Sequence, residues 1–540
     1  MLRSLRAAAL AATTALVATT LTLGTAAPSG AAPAPAENAA GWLATELTNG
    51  LMHNPNFGGF DDYGLTIDAG FAFDAIGTND AVVRQIRTAL APKVASYTTG
   101  VDYGAPGDIF SGASAKALVW AQVSGADAAS YGGTNLVAQT ADRVSADAPI
   151  AGRIEDAGAA DYANVIGQAF AARGLTLAGA PKAGSALDFL LKQQCTAGYF
   201  RLNFATDKTA AGQGCVDGDA TGSAPDSDVT SLTLLQLAAL DSTDARVTGA
   251  IAKATSWLGS QQRADGSFGG GTSTSSANAN STGLAAWALA GQGRCSDAGR
   301  AAGWVQALQV APGSSPALAD EVGAVAYDAE ALALAKAAGI TDATSDQFRR
   351  ATSQAAPALS YSLSSTPSLA ISGTGGYRRP GSEATLTISG VPAGERVCFA
   401  GATFPGERAL VAPATGAITA TVVLPTVTSA PTYRVTAARS TAEAAVRVLG
   451  KLRVPVKAKK KKVSKGDKQV LKVTGLAPGE KVKITVRGKK VAKGTAITNG
   501  SFKATFKIIR KLAKPGKAKV VVTGQFADLR RGRTYIRVVR

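Results

Sequence analysis

Histidine, methionine and aromatic residues are scarce in this chain of 540 residues. It contains one histidine, His53, and two methionines, and Phe, Trp and Tyr together make up 6% of the sequence. Ser-His-Asp hydrolysis requires a histidine base, and protein zinc sites draw mainly on Cys and His ligands. Nothing beside His53 resembles a ligand set, so we predict no metal, no other cofactor and an exposed loop position for His53.

Long hydrophobic runs are also rare, and the one that stands out lies at the N-terminus. Arg3 and Arg6 precede an Ala/Leu/Val/Thr stretch from Ala7 to Leu23, and Ala34-Pro35-Ala36 follows as a small-residue cleavage segment. This order is typical of a secretory signal, so we predict a signal peptide over residues 1–36, with a membrane-anchoring helix as the alternative. The mature protein is then expected to be secreted or held on the extracellular side of the cell envelope.

Four cysteines in an exported chain favour disulfides. Cys195 and Cys215 bracket a loop rich in Gly and Asp and are predicted to pair. Closing a loop of about twenty residues stabilises a fold by roughly 3 kcal/mol in the chain-entropy model. For Cys295 and Cys398 the sequence leaves two possibilities open, a bridge between distant segments or two free thiols.

Charge is distributed very unevenly along the chain. Residues 451–540 hold 28 of the 56 basic residues but three of the 38 acidic ones, so this tail carries +25 and the remainder −7. Such asymmetry favours an anionic partner, here an anionic cell-wall polymer or a membrane surface, although a merely solubilising surface is the alternative. We do not expect nucleic acid, because aromatic residues that would stack on bases are not interleaved with the charges. The predicted polyanion-binding residues are Lys457, Lys459, Lys460, Lys461, Lys462, Arg530, Arg531 and Arg533.

A helical hairpin with a distinctive turn can be identified between Ala252 and Gly291. An outer helix ends near Gln262, a turn comes next, and a second helix made almost entirely of Ala, Leu and Trp begins at Asn280 or Ser281. This pattern resembles the repeat of the squalene cyclase and protein prenyltransferase group, whose scaffold is a ring of six helical hairpins. The matching residues are Trp257, Leu258, Gln261 or Gln262, Asp265, Gly266, Ser267 and Phe268.

Six units of roughly 40 to 60 residues can be marked between residues 37 and 360, as expected of a repeat architecture. In the sixth unit the second helix is predicted to run from Asp328 to Gly339, and a final helix near Ser345 to Ala356 is expected to close the ring. The resemblance implies an all-α (α/α)₆ toroid. Short second helices rich in alanine suit burial on most sides.

The pattern changes after Pro357 from helical to alternating, which predicts β-strands. Two stretches echo each other: Ile388 to Val397 is matched by Val473 to Val482, with glycine and glutamate at the same places. We therefore predict two all-β Ig-like sandwiches, over residues 366–449 and 450–540, the second strongly basic.

The mouth of such a ring is the predicted ligand site. Aligning the second helices by their terminal glycines places one polar residue of each helix at a common level, and a second set lies two residues further on. A cavity with a polar rim and apolar walls is a default ligand site. The predicted rim residues are Asp68, Ser114, Asn164, Asp228, Thr230, Asn280, Thr282, Asp328 and Glu330.

Catalysis at this mouth is the alternative interpretation. Class II terpene cyclases, which share the toroid, protonate an alkene with an Asp-x-Asp-Asp motif; Asp226-Ser227-Asp228 matches it, but Val229 replaces the last Asp. The prenyltransferase branch needs a zinc site of Asp, Cys and His, which a single histidine does not support. We thus predict no catalytic residues and a non-catalytic envelope protein whose toroid binds a small molecule, glycan or protein. The alternative is a terpene cyclase-like or glycan-active enzyme using Asp226 and Asp228.

Overall fold

The structure is a computed structural model that describes residues 34–56, 58–77, 79–219 and 221–540. The predicted signal peptide falls almost wholly outside these residues, so it stays a prediction. Its proposed cleavage segment, Ala34-Pro35-Ala36, forms the first turn of helix α1.

In the described residues up to Leu359 the main elements are helices. They are α1 (Ala34–Thr45), α2 (Tyr63–Ile76), α3 (Asp80–Leu90), α4 (Val94–Thr98), α5 (Ser111–Val123), α6 (Leu136–Asp142), α7 (Val165–Leu177), α8 (Ala183–Lys192), α9 (Ser227–Ala238), α10 (Ala245–Gln261), α11 (Ala279–Gly291), α12 (Cys295–Ala307), α13 (Ala329–Ala338) and α14 (Asp342–Leu359). Short strands lie between them: β1 (Leu47–Thr48), β2 (Leu51–Asn54), β3 (Phe60–Asp61), β4 (Thr99–Gly100) and β5 (Ala105–Ile109).

Six of these helices form a closed inner ring. Each contacts the next in the order α2, α5, α7, α9, α11 and α14, and α14 contacts α2 again. The outer helices α3, α6, α8, α10 and α12 each pack on the inner helix that precedes them, while α1 packs on α14. The inner helices are mostly buried on all sides, as their small apolar residues predict. The described part of the chain therefore forms the predicted toroid.

A bridging glutamine joins neighbouring hairpins around the outside. Gln194 Nε2 donates to Gly198 O in its own turn and to Ala250 O in the next outer helix, at 2.9 Å each. Gln262 bridges Gly266 O and Asp297 O in the same way. Gln309 bridges Gly323 O at 3.1 Å and Pro35 O at 2.8 Å. Because Pro35 lies in the first helix of the chain, this last bridge closes the ring.

Inside the ring, five hairpins have their turn fastened to the inner helix by one hydrogen bond. In each, a backbone N–H of the turn donates to a side-chain oxygen of the inner helix at 2.8 to 3.0 Å. In four of the five hairpins this oxygen belongs to the residue four positions after the helix N-cap; in the remaining one it belongs to Thr352 of α14. The pairs are Met52–Thr66, Ile154–Gln168, Phe200–Thr230, Phe268–Thr282 and Val325–Thr352.

This hydrogen bond shows that the inner helix of the sixth hairpin is not the one that was predicted. The helix predicted from Asp328 to Gly339 is α13, which lies outside the inner ring, whereas α14 occupies the sixth inner position. In the inner helices α2, α9 and α11, the threonine that accepts the hydrogen bond from the turn lies four residues after the N-cap of its helix. In α14, the corresponding threonine, Thr352, lies eleven residues after the N-cap, Thr341. Helix α14 therefore has seven extra residues, or about two turns and 10 Å, at its start.

Two β-sandwich modules follow the toroid, as predicted; whether they are Ig-like stays a prediction. The first contains β6 (Ala370–Ser372), β7 (Tyr377–Arg378), β8 (Glu383–Ser389), β9 (Arg396–Gly401), β10 (Glu407–Val411), β11 (Ile418–Val423), β12 (Thr432–Thr436), β13 (Thr441–Ala445) and β14 (Arg447–Val448). The second contains β15 (Leu452–Arg453), β16 (Val456–Ala458), β17 (Lys462–Val463), β18 (Lys468–Val473), β19 (Lys481–Val486), β20 (Lys489–Thr495), β21 (Phe502–Lys507), β22 (Gly516–Thr523) and β23 (Arg530–Val538).

Each module packs two main sheets face to face around its own apolar core. The strand orders are β10-β9-β12-β13 and β11-β8-β6 in the first module, and β15-β23-β22-β19-β20 and β16-β18-β21 in the second. Along β8, β11, β18 and β19 buried and exposed residues alternate, because side chains of a strand point to opposite faces of its sheet.

Both cysteine pairs form disulfides. Cys195 pairs with Cys215, as predicted, and Cys295 pairs with Cys398, which resolves the alternative that the sequence left open. The second bridge joins helix α12 of the toroid to strand β9. Beside it, the Glu407 carboxylate accepts hydrogen bonds from Ser296 N at 2.5 Å and Ser296 Oγ at 2.8 Å. The first sandwich is thus covalently tied to the ring.

Candidate functional site

The first turns of the inner helices lie at the same end of the ring. Lys116 Nζ in α5 donates to Gly64 O in α2 at 3.0 Å, and Arg350 in α14 pairs with Asp62, the N-cap of α2, at 2.6 Å. The caps are local: Asp62 accepts from Leu65 N at 2.8 Å and Asn164 from Gly167 N at 3.1 Å. Asparagine and aspartate are favoured at this position because they satisfy the free N–H groups of the first turn.

Several predicted rim residues do not line the mouth. Ser114, Thr230 and Thr282 are fully buried. Thr230 and Thr282 fasten the turns, and Ser114 Oγ accepts a hydrogen bond from Gln139 Nε2 at 2.8 Å. Residues two apart on a helix point in nearly opposite directions, so the two predicted levels cannot both face the cavity.

The other predicted rim residues divide into three groups. Asn164 is the N-cap of α7, and Asp68 forms an ion pair with Lys116 at 2.7 Å. Asp328 caps α13 by accepting a hydrogen bond from Ala331 N at 2.8 Å, and Glu330 is exposed on the same helix. Because α13 is not an inner helix, both are removed from the predicted level. Asp228 and Asn280 remain at the mouth.

When α14 is taken as the sixth inner helix, a third residue, Arg350, lies at the level of Asp228 and Asn280. Counting back from the fastened side chains aligns Asp228 of α9, Asn280 of α11 and Arg350 of α14, which are consecutive helices of the ring. An acid, an amide and a guanidinium therefore succeed one another around one side of the mouth. Arg350 was missed from the sequence because the two extra turns of α14 shift its register.

Two buried carboxylates begin helix α9. Asp226 Oδ1 accepts hydrogen bonds from Asp228 N at 2.9 Å and Val229 N at 3.1 Å, yet burial raises the pKa of Asp226. Burial, with a smaller contribution from the neighbouring Asp226, raises the pKa of Asp228 to about 6. The Ser281 hydroxyl beside Asp228 opposes part of this rise in pKa, and Thr274 Oγ1 lies 3.5 Å from Asp228 Oδ2.

A glycine-rich loop of the fifth hairpin covers these carboxylates. A Cβ on Gly270 would lie 2.2 Å from Asp228 Oδ2, and one on Gly271 would lie 2.3 Å from Asp226 Oδ2. Ser227 Oγ donates to Gly269 O and holds the same loop. The close approach of bare backbone excludes water from the carboxylates and explains why the protonated form is favoured. A carboxylic acid of this kind can donate a proton near neutral pH.

A cleft of about 570 Å³ lies between the first repeat and helix α14, and its lining includes Asn280 of α11, the inner helix next to that of Asp228. One wall is the two-turn extension of α14, and the opposite wall comes from the hairpin of the first repeat. Its lining residues are Asn54, Asn56, Asn280, Tyr327, Ala343, Asp346, Gln347 and Arg350. Seven of these eight carry polar side chains, so the cleft is suited to a ligand rich in hydrogen-bonding groups.

Hydrogen bonds fix much of this lining. Asn54 Nδ2 donates to Asp346 Oδ1 at 3.0 Å, and Arg350 Nε donates to Asp346 Oδ2 at 2.8 Å. Asn280 Nδ2 donates to Gln354 Oε1 at 2.9 Å, whereas Asn280 Oδ1 is buried without a partner. These bonds make the wall of the cleft rigid and polar.

Tyr327 connects the cleft to the carboxylates. Its backbone oxygen accepts a hydrogen bond from Ala279 N at 2.8 Å, which fixes it at the start of α11. Burial raises the pKa of the Tyr327 hydroxyl, and the nearby charge of Asp228 adds to this. Tyr327 is thus the lining residue whose hydroxyl is influenced by the charge of Asp228. No sequence motif marks Tyr327, because it follows the sixth turn in a segment without repeat character.

Aromatic side chains pack elsewhere inside the ring. Phe71 stacks on Phe170 with ring centroids 6.0 Å apart and meets Trp120 edge to face at 5.9 Å. These rings join the inner helices α2, α5 and α7, on the side away from Asp228, Asn280 and Arg350. The aromatic contacts therefore stabilise the scaffold, while the cleft is polar.

The other predicted sites have mixed outcomes. His53 lies in strand β2 rather than a loop, with Nδ1 2.9 Å from Asp61 Oδ1. Arg530 is 2% exposed and bonds to Glu480 at 2.7 and 3.0 Å, so it is structural and not available to a polyanion. The other predicted basic residues, from Lys457 to Lys462 together with Arg531 and Arg533, are exposed.

Comparisons with known proteins give a likeness of fold. No family model and no curated protein matches the chain. Among solved structures, the type II terpene cyclase MstE from Scytonema is 14% identical, with 60% of this chain and 96% of that one covered and a TM-score of 0.41. An unsaturated glucuronyl hydrolase specific for heparin is 13% identical, with 61% and 95% covered and a TM-score of 0.42. A protein from Actinoplanes is 16% identical, with 61% and 98% covered and a TM-score of 0.40. Values this low assign no activity.

Two further findings concern metals and membranes. In the described residues one group of potential metal ligands comes together, Cys195, Cys215 and Asp217, but its two cysteines form a disulfide. No helix of the described ranges is both long and apolar enough to cross a bilayer.

Proposed function

We propose that the toroid binds a glycan-type ligand in the cleft between α14 and the first hairpin. The observation that carries this proposal is the lining, in which amides, a carboxylate, a guanidinium and a phenol surround a space large enough for a sugar or two. Hydroxyl groups of a sugar can donate to the exposed Gln347 carbonyl oxygen and accept from the N–H groups of Gln347 and Arg350. Few aromatic walls are present, so an isoprenoid fits this lining less well.

Binding can be tested with soluble glycan fragments and the full-length protein. Gln347 is exposed, lines the cleft and can be changed without touching the ion pairs of Arg350. We expect Gln347→Ala with Tyr327→Phe to weaken binding at least tenfold by calorimetry, since each lost polar contact costs about 1 kcal/mol. Gln261→Ala, on the exposed surface of α10, is the matched control. Equal affinity of all three proteins would remove the cleft from consideration.

A second candidate function is acid catalysis on the bound ligand. It is favoured by Asp228, whose carboxyl lies under the backbone of Gly270 and has a pKa raised to about 6. Protonated Asp228 would donate a proton to a leaving oxygen, as in glycan cleavage. Asp228→Asn should then abolish turnover while ligand binding persists, and Glu330→Gln on α13 should leave both unchanged. Turnover that survives Asp228→Asn would exclude this role.

We further propose that the protein is exported and remains at the cell envelope. The predicted N-terminal signal and the two disulfides would suit an oxidising compartment. The basic C-terminal module would hold the protein to anionic envelope polymers. Full-length protein bound to isolated envelopes should be released as salt rises from 0.05 to roughly 0.5 M, because exposed charges are then screened. Retention that does not change with salt would contradict this tether.

A further inference from the structure

The outer surface of one sheet of the last module carries an unbalanced row of charges. Strands β19, β20, β22 and β23 expose basic side chains on a single face, opposite the buried residues of the core. We call this surface the arginine face. Its members are Lys481, Lys483, Lys493, Lys517, Lys519, Arg531, Arg533 and Arg537.

Acidic residues do not neutralise the arginine face. The module has three, and each is engaged elsewhere. Glu480 is fully buried against Arg530, and Asp467 accepts hydrogen bonds from Ser464 N at 2.9 Å and Lys460 Nζ at 3.1 Å. Asp528 pairs with Arg379 of the first sandwich at 2.8 Å. The positive charges of this face therefore lack an internal partner of opposite sign.

The sheet register places like charges directly opposite one another. Lys483 faces Lys493 across β19 and β20, and Lys517 faces Arg537 across β22 and β23. Directly opposed like charges destabilise a sheet, so their number here is a cost to folding. A bound anion would offset that cost.

A groove of about 460 Å³ runs over this face. Basic side chains alternate with hydroxyls along it, and neighbouring strands about 5 Å apart bring them within reach of one chain of anions. Its lining includes Lys483, Thr485, Arg487, Lys519, Thr523 and Arg531. A groove suits a linear polymer better than the flat surface of a bilayer.

The second sheet offers a contrast within the same module. The basic side chains of its outer surface are all lysines, and we call it the lysine face: Lys457, Lys468, Lys472, Lys503 and Lys507. Arginine binds phosphate oxygens through two parallel hydrogen bonds, whereas lysine acts as a point charge. The arginine face is therefore the better phosphate site, although the densest sequence run, from Lys457 to Lys462, lies mainly away from it.

We propose that the arginine face binds a linear phosphodiester polymer that carries no bases. The absence of a stacking platform on this face favours a base-free chain: Tyr535 is its one aromatic ring, and Lys517 Nζ lies 4.3 Å from the ring centroid. This inference rests on the proposed polyanion tether and specifies its surface and chemistry.

The test compares two triple variants of the full-length protein that lose the same charge. One is Lys519→Gln, Arg531→Gln and Arg533→Gln on the arginine face. The control is Lys457→Gln, Lys472→Gln and Lys503→Gln on the lysine face. With poly(glycerol phosphate) as the probe, we expect the first to weaken binding about tenfold or more and to lower the slope of log K against log salt by about 2. The control should change affinity less than about threefold.

Other outcomes separate this inference from the tether itself. Equal weakening by both variants would overturn the arginine face while leaving the tether standing, and no binding by the wild-type protein would overturn both. Tighter binding of oligo(dT) than of poly(glycerol phosphate) would make nucleic acid the partner. Replacing Arg531, Arg533 and Arg537 together by Lys should reduce the preference for poly(glycerol phosphate) over poly-L-glutamate. An unchanged preference would overturn the phosphate assignment.

Discussion

The fifth and sixth hairpins of the toroid share a scaffold and differ in the segment that connects the turn to the inner helix. In both, a glutamine bridges to the next outer helix and a threonine fastens the turn. In the fifth, residues 269–278 form a loop that lies on Asp228 and Asp226. In the sixth, residues 326–341 carry helix α13, and α14 begins two turns early.

This difference shows how a closed ring acquires an open site. The bonds that hold neighbouring hairpins are the same in both, so the scaffold tolerates the insertion. The inserted residues and the extended helix then stand above the mouth and form one side of the polar cleft. Matched changes in the two hairpins can test this comparison, beginning with the largest expected effect.

The turn glycines should be the most sensitive positions. Gly323 has φ +106°, and a Cβ there would lie 2.0 Å from Asn38 O in α1. We expect Gly323→Ala to lower the free energy of unfolding of the toroid by about 3 to 5 kcal/mol, from backbone strain and a clash at the ring closure. Denaturant unfolding followed by circular dichroism measures the loss.

Gly313→Ala is the control for this change. Gly313 has φ +75° but open space around it, so it should cost only about 1 kcal/mol for the left-handed backbone. Similar losses at the two positions would mean that the contact with α1 does not close the ring. In the fifth hairpin, a Cβ on Gly266 would lie 2.7 Å from Arg300 O, so Gly266→Ala should lower the free energy of unfolding about as much as Gly323→Ala.

Asp228 and Asp328, two of the three aspartates predicted at the mouth, should respond differently to pH. The pKa of Asp228 is raised from 3.8 to about 6, so the folded state holds more protons than the unfolded state between pH 4 and 6. Stability must therefore fall as pH rises through this window. Asp228→Asn should remove that slope and raise the free energy of unfolding at pH 7 by about 3 kcal/mol.

Asp328→Asn is the comparison in the sixth segment. Asp328 caps α13 at its surface, and asparagine is an equally good cap, so stability should change by less than about 0.5 kcal/mol. Unfolding measured from pH 4 to 8 distinguishes the two. An unaltered pH slope in Asp228→Asn would show that this carboxyl is ionised throughout.

Much of the scaffold could be predicted from the sequence, because its signals are local. The Gln and Asp-Gly turn around Gln262 and Gly266, the small apolar inner helices and the closely spaced Cys195 and Cys215 each act within a few residues. The sixth inner helix could not be predicted in the same way. Helix α13 also begins after an Asp, is rich in alanine and ends before Gly339, so locally it is an equally good inner helix. The contact of Val325 with Thr352, 27 residues away, decides between them.

The candidate site could be predicted only in part, because some of its residues are placed by contacts that are distant in sequence. Asp228 and Asn280 were found because their helices have regular starts, while Arg350, Gln347 and Tyr327 depend on the insertion. The second predicted level, two residues further along each helix, falls on the opposite side of the helix and therefore selected buried residues such as Thr230. The excess of basic residues in the last module was evident from composition. That Arg530 is buried while Arg531 is exposed could be known only from the way side chains alternate between the two faces of β23.

The bridging glutamines should have a smaller effect that is equal in the two hairpins. Gln262→Ala and Gln309→Ala each remove two hydrogen bonds to backbone carbonyl groups, and Gln262→Ala also removes one from the exposed Arg300 guanidinium, which contributes little. At about 1 kcal/mol per bond, each variant should lose about 2 kcal/mol of unfolding free energy. Gln261→Ala, whose side chain bonds only to Ser260 among the described contacts, should lose less than about 0.5 kcal/mol. A much smaller loss for Gln309 than for Gln262 would indicate a weaker closure between α12 and α1.

The fastened threonines should give the smallest effect and the most direct test of equivalence. Thr282→Val and Thr352→Val keep the shape of the side chain but leave the N–H of Phe268 or Val325 buried without an acceptor. Each should cost about 1 to 2 kcal/mol, the usual penalty for one unsatisfied buried donor. Thr88→Val, on an exposed part of α3, is the control and should be nearly neutral.

Equal losses at Thr282 and Thr352 would support the register that places Asn280 and Arg350 side by side, and a neutral Thr352→Val would remove Arg350 from that level. Hydrogen exchange at the Val325 amide should quicken in Thr352→Val alone, because its protection depends on that single bond.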